Sequence, residues 1–241
     1  MLSIVVPALD EAANLHRLLP DLAARCPGAE VIVVDGGSAD ATAEVTARCP
    51  GARYLVAERG RARQMNAGAR AARGDTLLFL HADTALPAGA AGAIAAALAD
   101  PAVVGGRFDV RFSSPRWPFR MIAAFMNARS RLSRIATGDQ GIFVRAAAFS
   151  ALGGYPDIPL MEDVELTRRL KRLGPVACLG LRVTTSSRRW ERDGILRTIL
   201  LMWALRLLYS CGVSPARLYR WYYGRPAPGD APPPRRAAPA P

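Results

Sequence analysis

Residues 76–84 read TLLFLHADT, and this stretch decides the fold. Leu77, Leu78, Phe79 and Leu80 form an unbroken apolar run, the pattern of a strand covered on both faces. The run then delivers His81 and Asp83, two residues apart, where nothing signals the start of a helix. Two earlier runs share its character, 3–7 (SIVVP) and 30–34 (EVIVV), the second ending in Asp35-Gly36-Gly37-Ser38. Between these runs the apolar spacing changes to that of helices. Leu15, Leu18, Leu19 and Leu22 share one face over 11–25, Asp40 opens a helix to about Arg48, and a further helix covers 61–72. A strand over 53–57 and an alanine-rich helix over 88–99 complete the series. Strands alternating with helices predict an α/β fold around a parallel sheet with both faces covered.

After Val104 the rhythm changes. Gly105–Phe112 (GGRFDVRF) alternates like a half-exposed strand, and 119–135 is a helix carrying several arginines. Residues 141–144 and 176–183 are further strands, and Glu162–Leu173 is a helix stopped by Gly174-Pro175. The expected organisation is one domain over 1–190 in two halves, 1–104 and 105–190. A helical, membrane-associated segment follows at 191–224, then a disordered Pro/Ala/Arg tail at 225–241. Within 195–213, Arg197 and Arg206 interrupt an apolar run and fall on opposite sides of a helix. A helix lying in a membrane interface with snorkelling arginines and a helix packed in a core or oligomer contact both fit.

The chain has 241 residues and a formal charge of +12, yet Lys171 is its only lysine. Basic residues crowd the apolar C-terminal third, which favours an anionic membrane surface over nucleic acid. Cys26, Cys49, Cys178 and Cys211 form no CxxC pair, so neither a zinc site nor a disulfide framework is expected and a reducing cytoplasm fits. No run free of charge is long enough to span a bilayer, and the N-terminus has no secretion-signal pattern. The expected location is therefore cytoplasmic, peripheral on the inner face of the cell membrane.

Ligands of open α/β sheets bind beyond the carboxyl ends of the strands. Asp10, Glu11 and Asn14 follow the first strand, Asp35 and Asp40 the second, and His81, Ala82 and Asp83 the fourth. Asp10 and Asp40 read most simply as helix caps, whereas Asp83 points to a ligand. The first loop, Pro7-Ala8-Leu9-Asp10-Glu11, is no glycine-rich phosphate loop. A Rossmann dehydrogenase is thereby excluded and nucleotidyl transfer disfavoured.

Six segments in order resemble the inverting family-2 glycosyltransferases of GT-A fold: SIVVPALDEAANL, VIVVDGGSADAT, GRARQMNAGARAARGD, LLFLHADT, MEDVELTRRL and SRRWERDG. Within that family the chain looks closest to small bacterial members with the HAD form of the metal motif. The resemblance implies a mixed, mostly parallel GT-A sheet flanked by helices, with a nucleotide-binding half at 1–104, an acceptor-binding half at 105–190 and a C-terminal apolar helix. It also implies metal-assisted transfer from a nucleotide-sugar to a hydroxyl or phosphate acceptor, with inversion. By the same resemblance Asp83 holds Mg²⁺ or Mn²⁺. His81 replaces the family's first metal-motif aspartate and either ligates the cation, hydrogen-bonds the diphosphate or packs beside it. Donor contacts are expected from Pro7, Ala8, Glu11, Asp35, Gly36, Asn66, Ala82 and the diphosphate clamp Arg61 and Arg63. Asp163 is the implied base, with Glu162 beside it, and Gly138, Asp139 and Gln140 wall the acceptor pocket, Asp139 being the alternative base. Arg188, Arg189 and Trp190 either close over the diphosphate or form a basic membrane-facing patch. A membrane-bound protein would take a lipid-linked acceptor. The remaining alternatives are an inactive nucleotide-sugar binder or a membrane scaffold.

Overall fold

In the computed structural model, residues 1–227 are described. Eight strands form one sheet: β1 (Leu2–Ala8), β2 (Glu30–Asp35), β3 (Ala52–Val56), β4 (Thr76–Phe79), β5 (Thr84–Ala85), β6 (Gly105–Phe112), β7 (Ile142–Arg145) and β8 (Val176–Thr185). Their order is β3-β2-β1-β4-β7-β6-β8-β5. Strands β3, β2, β1 and β4 run parallel, β7 runs antiparallel between β4 and β6, and β8 lies parallel to β6. The helices are α1 (Ala12–Arg25), α2 (Thr42–Ala47), α3 (Arg61–Ala71), α4 (Ala90–Ala97), α5 (Trp117–Ser133), α6 (Ala146–Ala151), α7 (Glu162–Leu173), α8 (Arg188–Asp193), α9 (Ile195–Ser210) and α10 (Pro215–Tyr223). The expected mixed, mostly parallel α/β sheet is present.

Alternate side chains of each central strand feed two cores. Ile4 and Val6 of β1 meet Leu15, Leu18 and Leu22 of α1, while Val5 on the other face meets Met65 of α3. Each such side chain, fully buried, contributes roughly 1.5–3 kcal/mol. Gly68 brings α3 onto the sheet, since a Cβ there would lie 2.3 Å from Val5 Cγ1. That close seating aims the first turn of α3 at the carboxyl ends of β1 and β4.

Strand β6 corrects one expectation, because Gly105–Phe112 is buried rather than half-exposed. Its inward charges, Arg107 and Asp109, are hidden by pairing with each other, while Arg111 stays exposed. Arg107 contacts Asp109, which also accepts from Arg131 of α5 at 2.7 Å. Asn127 of α5 accepts from the Val110 N–H at 2.8 Å and donates to the Val110 carbonyl at 3.0 Å. Buried charges persist when they are so compensated.

The C-terminal stretch corrects another. The single run expected over 195–213 is α9 ending at Ser210, followed by α10, which folds back against it through Leu205 and Leu218. Arg206 is half-buried and Arg197 exposed, and by helical spacing the two flank the line of Leu196, Leu200, Trp203 and Leu207 on opposite sides. Among the described residues no helix is long and apolar enough to cross a membrane. Most of the expected disordered tail, residues 228–241, lies outside the described residues.

Candidate functional site

A cavity of about 260 Å³ opens at the carboxyl ends of β1 and β4. Pro7, Ala8 and Glu11 come to it from β1 and its loop, and His81, Ala82 and Asp83 from the loop after β4. Arg61 and Arg63 enter from the first turn of α3, Glu162 from the first turn of α7, and Tyr219 and Tyr223 from α10.

The loops after β1 and β2 are sewn together. The Asp10 N–H donates to Ser38 Oγ at 2.8 Å, and Asp10 Oδ1 accepts from the Ala39 N–H at 2.8 Å. Asp40 accepts from the Ala12 N–H at 2.9 Å and the Thr42 N–H at 3.0 Å, so it braces both loops. Gln64, which the sequence did not single out, is buried. Its amide donates to the carbonyls of Ala8 at 2.7 Å and Val34 at 2.9 Å, and its side chain lies against Gly36. Asp35 accepts from Ser38 Oγ at 2.6 Å and the Tyr54 hydroxyl at 2.5 Å; this bond pushes the Tyr54 phenol up to about 12. Asp35 and Gly36 do not line the cavity.

Glu11 and Asp83 approach from two loops. Burial raises the Glu11 carboxyl above its ordinary range, the Asn14 amide lowers it, and the nearby Asp83 charge raises it again. Asp83 has one side-chain hydrogen bond, from Thr84 Oγ1 at 3.3 Å. Among the described residues no three His, Cys, Asp or Glu side chains gather as a metal cluster. The residues nonetheless suit a hard cation. Mg²⁺ is commonly bound by one or two carboxylates, with substrate phosphates and water completing its shell. His81 Nε2 is inaccessible and has no hydrogen-bond partner. Burial, aided by Arg61, lowers its imidazole to about 3, so it is neutral.

Arg61 reaches across the cavity floor to Glu162, 3.6 Å away. Burial and the neighbouring Asp163 raise the Glu162 carboxyl to about 7, against the opposing pull of Arg61. Asp163 Oδ2 accepts from the Gly138 N–H at 2.7 Å, and its Oδ1 from the Val164 N–H at 2.7 Å. Gly138 is pressed against His81, so the acid is set beside that imidazole. Asp139 Oδ1 and Gln140 Nε2 are buried without partners behind this turn, and burial raises the Asp139 carboxyl. Met161, just before the acids, holds a left-handed φ of 69°, a conformation that costs a non-glycine residue on the order of 1–3 kcal/mol. Its side chain is clamped between Leu205 of α9 and Leu218 of α10.

Other residues marked in the sequence brace the walls. Arg63 is paired with Glu58 at 2.8 Å and Asp157 at 2.9 Å on the rim. Asn66 lies off the cavity, its amide spent on the backbone of Tyr155 at 2.8 and 2.9 Å, fastening the loop before α7. Arg189 stacks on Tyr222, 4.1 Å from its centroid, and Trp190 packs edge-on against Phe112. Arg188 is near enough to Glu11 to lower its carboxyl. The α10 tyrosines were missed because nothing in their sequence marks a ligand wall.

The family model described as Glycosyl transferase family 2 matches residues 3–153, ending short of Glu162 and Asp163. A PGL/p-HBAD biosynthesis glycosyltransferase of Mycobacterium tuberculosis is 34% identical over 166 residues, which is 64% of this chain and 63% of that protein. The chain thus matches less than two thirds of the length of these curated relatives. Among solved structures, S. aureus TarS 1-349 in complex with UDP-GlcNAc shares the fold at 19% identity and a TM-score of 0.62, over 77% of this chain and 58% of that one. Glucosyl-3-phosphoglycerate synthase from Mycobacterium tuberculosis, in complex with Mn²⁺, UDP and glucosyl-3-phosphoglycerate, shares it at 18% identity and a TM-score of 0.61, over 88% and 80%.

Proposed function

The chain belongs to glycosyl transferase family 2, and on that premise we propose that it moves a sugar from a nucleotide-sugar donor to an acceptor hydroxyl with inversion. One observation carries this: Asp83, Arg61, Glu11 and Glu162 line a single cavity at the strand ends, with Asp163 fixed beside it. In the proposed step the acceptor oxygen attacks the anomeric carbon while its proton passes to the Asp163 carboxylate. The bond from that carbon to the donor phosphate oxygen breaks, and its electron pair leaves with the nucleoside diphosphate. Each Asp163 oxygen already takes one backbone N–H, which fixes the carboxylate and leaves a lone pair for the proton.

Asp83 would hold the divalent cation, Mg²⁺ or Mn²⁺. When bound, the cation neutralises charge on the departing diphosphate. Arg61 supplies a fixed positive charge to the same cavity, and Glu162 holds its guanidinium in place. The neutral His81 lines the same cavity and lies against Gly138, whose N–H holds Asp163. The acceptor, on this proposal, is a hydroxylated or lipid-linked molecule entering past Gly138, Asp139 and Gln140.

The test is a thermal-shift screen of nucleoside diphosphates and their sugars, with and without Mn²⁺. A ligand that binds only the folded chain raises Tm by mass action. The true donor should raise it only when the cation is present. Equal shifts with and without cation would contradict the role given to Asp83.

A further inference from the structure

We propose that the outer faces of α5 and α9 form one docking surface for an anionic lipid bilayer. On α5 the exposed large apolar residues are Trp117, Met121, Phe125 and Leu132, with exposed Ala124 and Ala128 between them. On α9 they are Leu196, Leu200, Trp203 and Leu207. Steps of three, four and seven residues keep each set on one side of its helix. The two helices are neighbours, since Phe119 and Ile122 of α5 share a cluster with Ile195 and Ile199 of α9. Single exposed leucines are ordinary, but two adjacent helices with continuous apolar outer stripes are the mark of an interaction surface.

Charge selects the occupant. The sequences of α5, α9 and α10 contain no aspartate or glutamate, while Arg116, Arg120, Arg197, Arg217 and Arg220 are exposed on or beside them. The nearby α8 acids Glu191 and Asp193 are outnumbered by Arg188, Arg189 and Arg192, and Asp193 is held by Arg192 at 2.7 Å. A second copy of the chain would bring this basic rim against its like, whereas anionic headgroups complement it. The 16 residues of α9 extend about 24 Å, short of the ~30 Å hydrocarbon core. The geometry therefore suits a helix lying in the interface, with Trp117 and Trp203 at headgroup depth.

The inner side of the same surface supports the cavity. Leu205 of α9 and Leu218 of α10 clamp Met161, next to Glu162 and Asp163. A bilayer held on this face lies one helix layer from the acids, where a lipid-borne acceptor is presented.

The test is flotation of the full chain with vesicles of phosphatidylcholine, with and without phosphatidylglycerol, a readout independent of activity. The chain should float with the anionic vesicles and remain behind with the neutral ones. Phe125→Glu and Trp203→Glu should each lower the bound fraction about tenfold or more, and Val56→Glu, on the exposed β3 edge, should leave it unchanged. Arg120→Glu with Arg197→Glu should remove the preference for anionic lipid while leaving the circular dichroism spectrum unchanged. Failure of the wild-type chain to float would overturn the proposal, as would flotation unaffected by the α5 and α9 changes. So would a solution dimer that Phe125→Glu and Trp203→Glu convert to monomer, since the face would then belong to a second copy.

Discussion

The guanidinium of Arg61 lies 3.6 Å from the buried carboxylate of Glu162, tying the first turn of α3 to the first turn of α7 across the cavity. The contact joins the parallel half of the sheet, which positions Arg61, to the later half, which positions Glu162 and Asp163. Burial and the adjacent Asp163 charge nonetheless hold the Glu162 carboxyl up at about 7.

Replacing Glu162 with Gln therefore changes how stability depends on pH. The carboxyl stands at about 7 in the folded chain against an ordinary 4.5, so the folded state binds the extra proton between those values. Its ionisation destabilises the fold progressively as pH rises from about 4.5 through 7. Melting of wild type and Glu162→Gln at pH 5 and pH 8 should show the variant gaining relative Tm at the higher pH. A gap that is constant with pH would mean Glu162 is already ionised at pH 5.

Asp163→Asn keeps an oxygen for the Gly138 N–H but cannot accept the acceptor proton. A general base contributes about 10²–10⁴-fold, so transfer should fall by that order. Donor-induced thermal shift should remain within about twofold of wild type in affinity. Loss of donor binding along with transfer would place Asp163 on the donor side. A wild-type rate would move the base to Asp139.

Asp83→Asn should act on the other partner. Loss of a carboxylate that recruits a cation worth several kcal/mol to the departing charge predicts at least about a 10²-fold drop in turnover. The dependence of rate on added Mn²⁺ should shift to higher concentration in the variant. An unchanged metal titration would separate Asp83 from the cation.

Gly138→Ala tests the contact that sets the base beside the imidazole. Its Cβ would meet His81 Nε2 at 2.5 Å and a neighbouring ring atom at 2.8 Å, so one side must shift. Overpacking of this kind costs about 1–3 kcal/mol. In the double variant Gly138→Ala, His81→Ala the clash is gone, and the two costs should fail to add. Additive losses in denaturant melts would show that the neighbours relax without strain.

Strands β1, β2 and β4 were legible because they are buried on both faces and so carry continuous apolar runs, as 77–80 do. Helix α7 was legible to the residue, with acids in its first turn and Gly174 at its end. Strand β6 was misread because alternating Arg107 and Asp109 imitate an exposed face. Their burial depends on Arg131 and Asn127, about twenty residues away on α5. The chemistry at His81 and Asp83 was visible from its place after a strand. The bracing by Gln64 and Asn66 was not, since it is made with backbone carbonyls and amides that no side-chain pattern encodes.

Helix α10 was the least legible element, and it carries the last test. Only Leu218 and Tyr219 are buried among its nine residues, too little apolar spacing to mark it. Yet Tyr223 lines the cavity, stacked against Tyr219 at 4.4 Å between centroids and held from behind by Arg189 at 5.5 Å. Removing its ring takes away a wall facing Arg61 without touching any acid. Tyr223→Ala should therefore weaken donor binding about tenfold, an aromatic contact's worth, and raise KM for donor more than it lowers kcat. Trp221→Ala, on the same helix but exposed and off the cavity, should leave donor affinity within about twofold, since it removes no cavity wall. Equal effects of the two changes in titration calorimetry would mean that α10 acts through the stability of the fold rather than as part of the donor wall.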